Sequence, residues 1–223
     1  MKRMGHVLTV FSTFLFLSFT SVSFVHATVI FSNYGDSFSH SVTGGWAVAH
    51  DYQIPGGSYI DDWDMAMQFN ALDQDYLLES IYITVGLISG PNELDVWLMS
   101  DDNNKPGTAL ESFHLSNEMP VHSWTQHSPI LINASQSTIL EANESYWLAL
   151  SVSGSDNDVN WYMNDIGQVG PRAIGVGGEW IIAEEITPAV FQIDGASVPE
   201  PATILLLASG LLGLVGLRKK FKG

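Results

Sequence analysis

Apolar and polar residues alternate along most of this chain with a period of two, the spacing of a half-buried strand and not of an amphipathic helix. In the stretch LESIYITVG, Ile81, Ile83 and Val85 fall on one face while Ser80, Tyr82 and Thr84 fall on the other. ELDVWLMS repeats the pattern with Leu94, Val96 and Leu98, and ESYWLALSVSG repeats it with Tyr146, Leu148, Leu150 and Val152. Each run ends in residues that favour turns: Gly90-Pro91-Asn92, then Asp101 to Gly107, then Gly154 to Asp158. Further short strands are predicted at 29–33, 46–50, 65–69, 109–115, 129–132, 159–163, 178–182 and 189–193. No long amphipathic helix and no repeat of solenoid period interrupts them. Many short strands separated by turns predict an all-β fold, an antiparallel β-sandwich of jelly-roll-like kind, over 28–197.

Both ends depart from this pattern. At the start, Lys2 and Arg3 precede an apolar run from Val7 to Phe19, and Val25-His26-Ala27 supplies a cleavage point after Ala27. That three-part order predicts a secretory signal peptide over 1–27. At the other end, the 15 uncharged residues from Thr203 to Leu217 precede Arg218, Lys219, Lys220 and Lys222. As a transmembrane helix this run is ~22 Å long, short of a ~30 Å hydrocarbon core, so it predicts a marginal anchor. The basic cluster acts as a stop-transfer signal and stays cytoplasmic, with the rest of the chain on the other side of the inner membrane.

Between β-patterned body and apolar run stand Val198, Pro199, Glu200 and Pro201. The motif, the short Gly-rich helix and the terminal basic cluster together resemble the PEP-CTERM sorting signal, over 198–223. The resemblance implies an exported protein whose tail is removed by an exosortase-type membrane protease, in bacteria that also make exopolysaccharide. Pro199 and Pro201 keep the recognised segment extended and present Glu200.

Charge narrows the partners. Between Asp36 and Glu200, Lys105 and Arg172 are the only bases against 24 acids, a formal charge of −22. Such a field repels a phosphate backbone, which argues against nucleic acid and leaves cations or neutral polar ligands. With 0 cysteines, thiolate metal sites, thiol catalysis and disulfide staples are excluded. A body of this length buries enough surface to fold without them.

The candidate chemistry is sparse. Asp61, Asp62 and Asp64 around Trp63 offer oxygen ligands for Ca²⁺, but no complete ligand spacing is visible and a solvated acidic loop, which needs no ligand, is the favoured reading. DDNNKPG lacks the glycine and the terminal glutamate of an EF-hand loop and reads as a hairpin turn. Asp156, Asp158 and Asn160 read as a turn feeding the next strand, and the triplets at Asn133 and Asn143 as turn residues. Seven tryptophans invite a carbohydrate-binding reading, because an exposed aromatic plane with a few polar groups makes a sugar platform. Trp97 and Trp147 are out of phase with the aliphatic positions, and one of the consecutive Trp161 and Tyr162 must face outward, so these four are the candidate ligand-binding residues. The histidines show no metal-ligand spacing, and neither a nucleophile elbow nor a glycine-rich phosphate loop is present, so no catalytic residue is assigned.

The order of AMQF, YLLESIYITVG, DVWLMSDDNNKPGTAL, ILEANESYWLALS, VNWYMND and PAVFQIDG also resembles the choice-of-anchor R group of exported bacterial domains. That resemblance implies the fold and the address, and no reaction. The function expected is an exported envelope or matrix protein, non-enzymatic, acting as a surface or exopolysaccharide-associated binding module. The rival expectation is a glycan-acting hydrolase, which needs only two carboxyl groups facing across a cleft.

Overall fold

A computed structural model of the chain describes residues 27–53, 59–152, 154 and 156–198, without the side chains of 51–53 and 59–62. The expected signal peptide up to His26, the motif from Pro199 onward, the helix 203–217 and the basic cluster lie outside the described residues. Among the described residues no helix is long and apolar enough to cross a membrane.

The described chain is all-β, in two antiparallel sheets. The small sheet holds β1 (Thr28–Ser32), β14 (Phe191–Ser197), β4 (Tyr76–Ile83) and β8 (Ile130–Asn133) in that order, with β9 (Ile139–Leu140) also paired to β4. The large sheet runs β5 (Val85–Ser89), β11 (Asp158–Tyr162), β2 (Gly45–Gln53), β3 (Tyr59–Asn70), β10 (Ser145–Ser151), β6 (Glu93–Asp101) and β7 (Pro106–Ser116). Off this path, β12 (Gly170–Val176) joins β3 and carries β13 (Glu179–Ile186) outside it. β4 and β5 are one run of chain that changes sheet at Thr84, where the wholly buried Thr84 Oγ1 lies 2.8 Å from the Tyr34 hydroxyl.

The alternation reads directly onto this architecture. Met65, Met67 and Phe69 of β3, Leu94, Val96 and Leu98 of β6, and Leu148 and Leu150 of β10 point inward from the large sheet. Ile81, Ile83, Ile132, Phe191 and Ile193 meet them from the small one, and all of these residues belong to one buried cluster. Burying each such side chain stabilises the fold by about 1.5–3 kcal/mol. Phe31 and Phe191 stack with centroids 4.7 Å apart, so the first and last strands close the same core. Beside them the buried Asn33 donates through Nδ2 to the Ala189 carbonyl at 2.7 Å, and its Oδ1 accepts from the Phe191 N–H at 2.8 Å.

Turns fall where the sequence placed them. The β6–β7 hairpin turns through Asn103 and Asn104, both at positive φ. Gly90 is required at φ +86° because a Cβ there would stand 2.4 Å from the Asp156 carbonyl oxygen. Two elements were not anticipated. β12 contains Gly170, Pro171 and Gly175, which break an apolar alternation, and β9 has only two residues.

One buried charge ties the two layers together, and another is covered by a ring within the large sheet. Glu111 of β7 is buried on the core side, and its Oε1 accepts from the Ser135 N–H at 2.6 Å, the Gln136 N–H at 3.0 Å and the Ser135 hydroxyl at 3.2 Å. Its Oε2 accepts from the Thr138 hydroxyl at 2.8 Å, so one carboxylate takes four donors of the β8–β9 loop of the opposite sheet. Arg172 of β12 is buried and lies 3.6 Å over the ring of Trp46, and burial pulls its pKa down.

Glu111→Ala removes the single buried carboxylate that accepts from all four of these donors. The expected loss is about 3 kcal/mol of unfolding free energy, on the scale of charge-assisted hydrogen bonds and unsatisfied buried groups. Denaturant unfolding of the 28–197 body measures it, and Glu111→Gln, which keeps one acceptor oxygen, loses less. Equal midpoints for the Ala variant and the native body contradict the assignment.

Candidate functional site

The outer face of the large sheet carries the exposed aromatic surface that the sequence suggested, but with a different membership. Register places Ile182, Ala173, Ala66, Ala149, Trp97 and Ser112 side by side across β13, β12, β3, β10, β6 and β7. The three alanines have no exposed surface, and with Met99 and Trp147 they form a second, small apolar cluster. Trp97, Trp180 and Ile182 pack against that cluster while staying partly exposed. Small residues under large rings are the reason the rings can lie down: a larger side chain at Ala66 or Ala149 would lift them. Gly175 does the same for Trp180, since a Cβ there would lie 3.1 Å from the Trp180 ring and 2.9 Å from Asp64 Cβ.

Polar groups border this apolar row on both sides. On one side stand Asp64, opposite Gly175, and Asp95, opposite Ser151 and His114. His114 is held between two carboxylates, Nδ1 to Asp95 Oδ1 at 2.8 Å and Nε2 to Glu93 Oε2 at 2.7 Å. On the other side Asp101 Oδ1 accepts from the Trp147 indole N–H at 2.7 Å and from Gln68 Nε2 at 2.9 Å. The result is an aromatic shelf with carboxylate, amide and hydroxyl groups along its edges, the chemistry of a site for a polyhydroxylated ligand.

The four expected ligand-binding residues separate here. Trp97 stays on the shelf. Trp147 is on the outer face, as its phase required, but it is fully buried, pinned by its indole to Asp101. Trp161 faces the core with 0% exposure and donates to the Val190 carbonyl at 2.9 Å. Tyr162 has the opposite phase and is also buried, because the β7–β8 connection crosses it: its hydroxyl donates to the Ser123 carbonyl at 2.7 Å and lies 2.8 Å from His122 Nδ1. The expectation that Trp147, and one of Trp161 and Tyr162, would present a ring to solvent is therefore corrected.

Trp180 and His114 were not singled out from the sequence. Trp180 reaches the shelf only through β12, the strand whose glycines hid it. Asp95 and His114 pair only because β6 and β7 are bulged; counting back from Asp101 and Pro106 without the bulges sets Asp95 against Ser112.

Asp61 and Asp62 belong to β3, not to a loop, and their side chains lie outside the described residues; Asp64 borders the shelf. Among the described residues no group of three or more His, Asp or Glu is arranged to hold a metal ion. A second recess of about 560 Å³ is lined by Asp36, Ser37, Phe38, Ser39, Gln126 and His127, among others. His40, 1% exposed, lies beside it, with its ring centroid 6.5 Å from that of His127.

Comparison with known families places one further feature. Residues 197–220 match the family described as the PEP-CTERM protein-sorting motif. The chain thus carries this sorting motif directly after its last strand, and the motif marks an exported protein that is membrane-anchored before an exosortase processes it. No curated protein matches the chain.

The two histidines titrate in opposite senses. The hydrogen bond to Asp95, with Glu93 adding to it, raises the His114 pKa above the ordinary ~6.5. Its contribution to stability is therefore complete below ~6.5 and is lost as pH rises through the raised folded value. Burial lowers the His40 pKa, so its contribution is present above ~6.5 and is lost as pH falls through the lowered folded value. Ring-proton NMR titration is expected to bracket the ordinary value, His114 above and His40 below. Coincident titrations contradict both placements.

Proposed function

We propose that this is an exported, non-catalytic envelope or matrix protein whose sandwich is delivered by the C-terminal sorting signal and binds exopolysaccharide on the outer face of its large sheet. The observation that carries the delivery half is the PEP-CTERM motif at 197–220, beginning at the last residue of β14. In this reading the signal peptide is removed after Ala27 and the helix 203–217 holds the chain in the inner membrane. The cluster Arg218, Lys219, Lys220 and Lys222 stops transfer, and exosortase cuts at Pro199-Glu200-Pro201. The body then moves to the cell surface or matrix. The body itself is read as a choice-of-anchor R-like domain, a reading that rests on the resemblance of its sequence segments alone.

The binding half rests on Trp97 and Trp180 over the alanine row. Flat apolar rings stack on the C–H faces of sugar rings, while bordering carboxylates and amides accept or donate to hydroxyls. Asp95 and Asp101 are already engaged by His114, Trp147 and Gln68, which supports a role in shaping the site and not in acid–base chemistry.

A glycan array with the 28–197 body tests this half. Trp97→Ala and Trp180→Ala are each expected to weaken retained glycans about tenfold or more, a loss of about 1.4 kcal/mol or above. Trp124→Ala, at an exposed aromatic in the β7–β8 connection, is expected to change nothing. No binding to any glycan, or release of new reducing ends, overturns the reading, the latter in favour of a hydrolase. Delivery is tested in cells carrying the protease: Glu200→Ala is expected to accumulate as the longer membrane form while the native chain is shortened. Equal processing of the two contradicts the sorting role.

A further inference from the structure

We propose that one end of the sandwich, built from the loops at 71–75 and 141–144 around the exit of β14, is a docking surface for the membrane protease that cuts the tail. This rests on the sorting reading above and adds to it a part of the folded body that the protease contacts.

The argument begins with where the chain leaves the fold. β1 and β14 are antiparallel neighbours with Thr28 opposite Gly195, so the start of β1 and the end of β14 lie at the same end of the sheet. Ser197 still pairs with Tyr76, and the Val198 N–H donates to the Asp75 carbonyl at 2.9 Å. The chain is therefore held to the body up to the residue before Pro199. Only Val198 to Ala202, five residues, separate that last rung from the apolar run at Thr203. Fully extended they span ~17 Å. A protease that closes on Pro199-Glu200-Pro201 within that gap must touch the end of the sandwich. No other end of the body can face it, because the tether fixes which one does.

The two loops form one hydrogen-bonded surface. The two loops are joined by the Ala71 N–H to the Glu144 carbonyl at 2.9 Å and the Asn143 N–H to the Leu72 carbonyl at 2.8 Å. Asp75 Oδ1 accepts from the Ala142 N–H at 2.9 Å, and the Tyr146 hydroxyl accepts from the Glu141 N–H at 2.7 Å. Asp73, Asp75, Glu141 and Glu144 are all exposed around the exit. Burial pushes the Tyr146 pKa up, and the charges of Glu141, Glu144 and Asp75 add to that rise. An anionic lipid surface repels such an end, whereas a protein face bearing bases or N–H donors is attracted to it.

The test follows conversion of the full-length chain in cells that carry the protease, by pulse-chase. Glu141→Lys with Glu144→Lys reverses the charge at the docking end without touching the motif. Glu118→Lys with Glu179→Lys makes the same charge change away from it. The first pair is expected to slow shortening about tenfold, the scale on which charge complementarity alters association, and the second to leave it unchanged. Insertion of 15 or so flexible Gly/Ser residues after Ser197 uncouples the end from the motif, at ~5–6 Å × √n of reach, and is expected to erase the difference. Resistance of the body to added protease in isolated membranes confirms that every variant is folded. Native-rate shortening of the docking-end variant, equal slowing by both charge pairs, or a defect that persists through the insertion overturns the proposal. A Glu200→Ala arm separates the two readings: shortening of that variant at the native rate removes the sorting role itself.

Discussion

The rest of the structure depends on a strand that must come last. β14 is hydrogen-bonded on both sides, to β1 and to β4, so β1 has no neighbour in the small sheet until the final residues of the body are in place. Phe191 and Ile193 then complete the core, and Asn33 locks the first strand to the last through a buried amide that neither strand alone could satisfy. The sheet's pairing also decides where the chain stops being a strand. Pro199 has no N–H to continue the ladder, and a proline in a paired strand is tolerated only at edges and ends. Thus one sequence feature both ends the sandwich and begins the sorting motif. The fold and its delivery signal are joined at a single peptide, with no linker between them.

The unequal sizes of the two sheets have a cost that the outer face reveals. Ile181 of β13 has the phase of a core residue but is 58% exposed, because the small sheet does not extend beneath it. The large sheet offsets this with a second apolar layer on its other side, where Ala66, Ala149 and Ala173 form a floor for Trp97 and Trp180. Short side chains in the middle of a sheet lose packing on the face they occupy, so their use in three neighbouring strands makes sense only with large rings above them. The shelf is thus a structural solution to the uneven sheets and, in the proposed function, the same surface that meets the ligand. The Asp101 carboxylate illustrates the overlap: by holding the Trp147 indole it fixes the packing beneath, and by holding Gln68 it orders the polar edge.

Alternation made most strands legible, since a period of two survives in Ile81, Ile83 and Val85 whatever packs above them. It also assigned Trp97 and Trp147 to the correct side of their strands. What it could not convey is cover. Trp147 and Tyr162 occupy outward phases, yet a hairpin carboxylate hides one and a distant connection hides the other; both contacts are made by residues far away in sequence. Trp180 failed for a related reason, because its neighbours on the shelf come through β12, where Gly170, Pro171 and Gly175 imitate a loop. Gly175 is absent of side chain for the benefit of Trp180, a requirement visible only when β13 folds back over it. The sorting signal was legible without any of this, because its recognition depends on contiguous residues.

The charge distribution follows the same division between body and ends. The span from Asp36 to Glu200 carries a formal −22, and one of its two bases, Arg172, is buried against Trp46, so it does little to relieve the field outside. The compensating bases lie beyond the motif, at Arg218, Lys219, Lys220 and Lys222. In the proposed anchored state a membrane separates the two halves and keeps them from neutralising each other. Removal of the tail leaves a body of one sign, self-repelling enough to resist association and screened only within about 8–10 Å at ordinary ionic strength. That field opposes a polyanionic polymer and leaves a neutral one unopposed. The same excess of acids that argues against nucleic acid therefore also argues, within the proposed binding role, for a glycan without charge of its own.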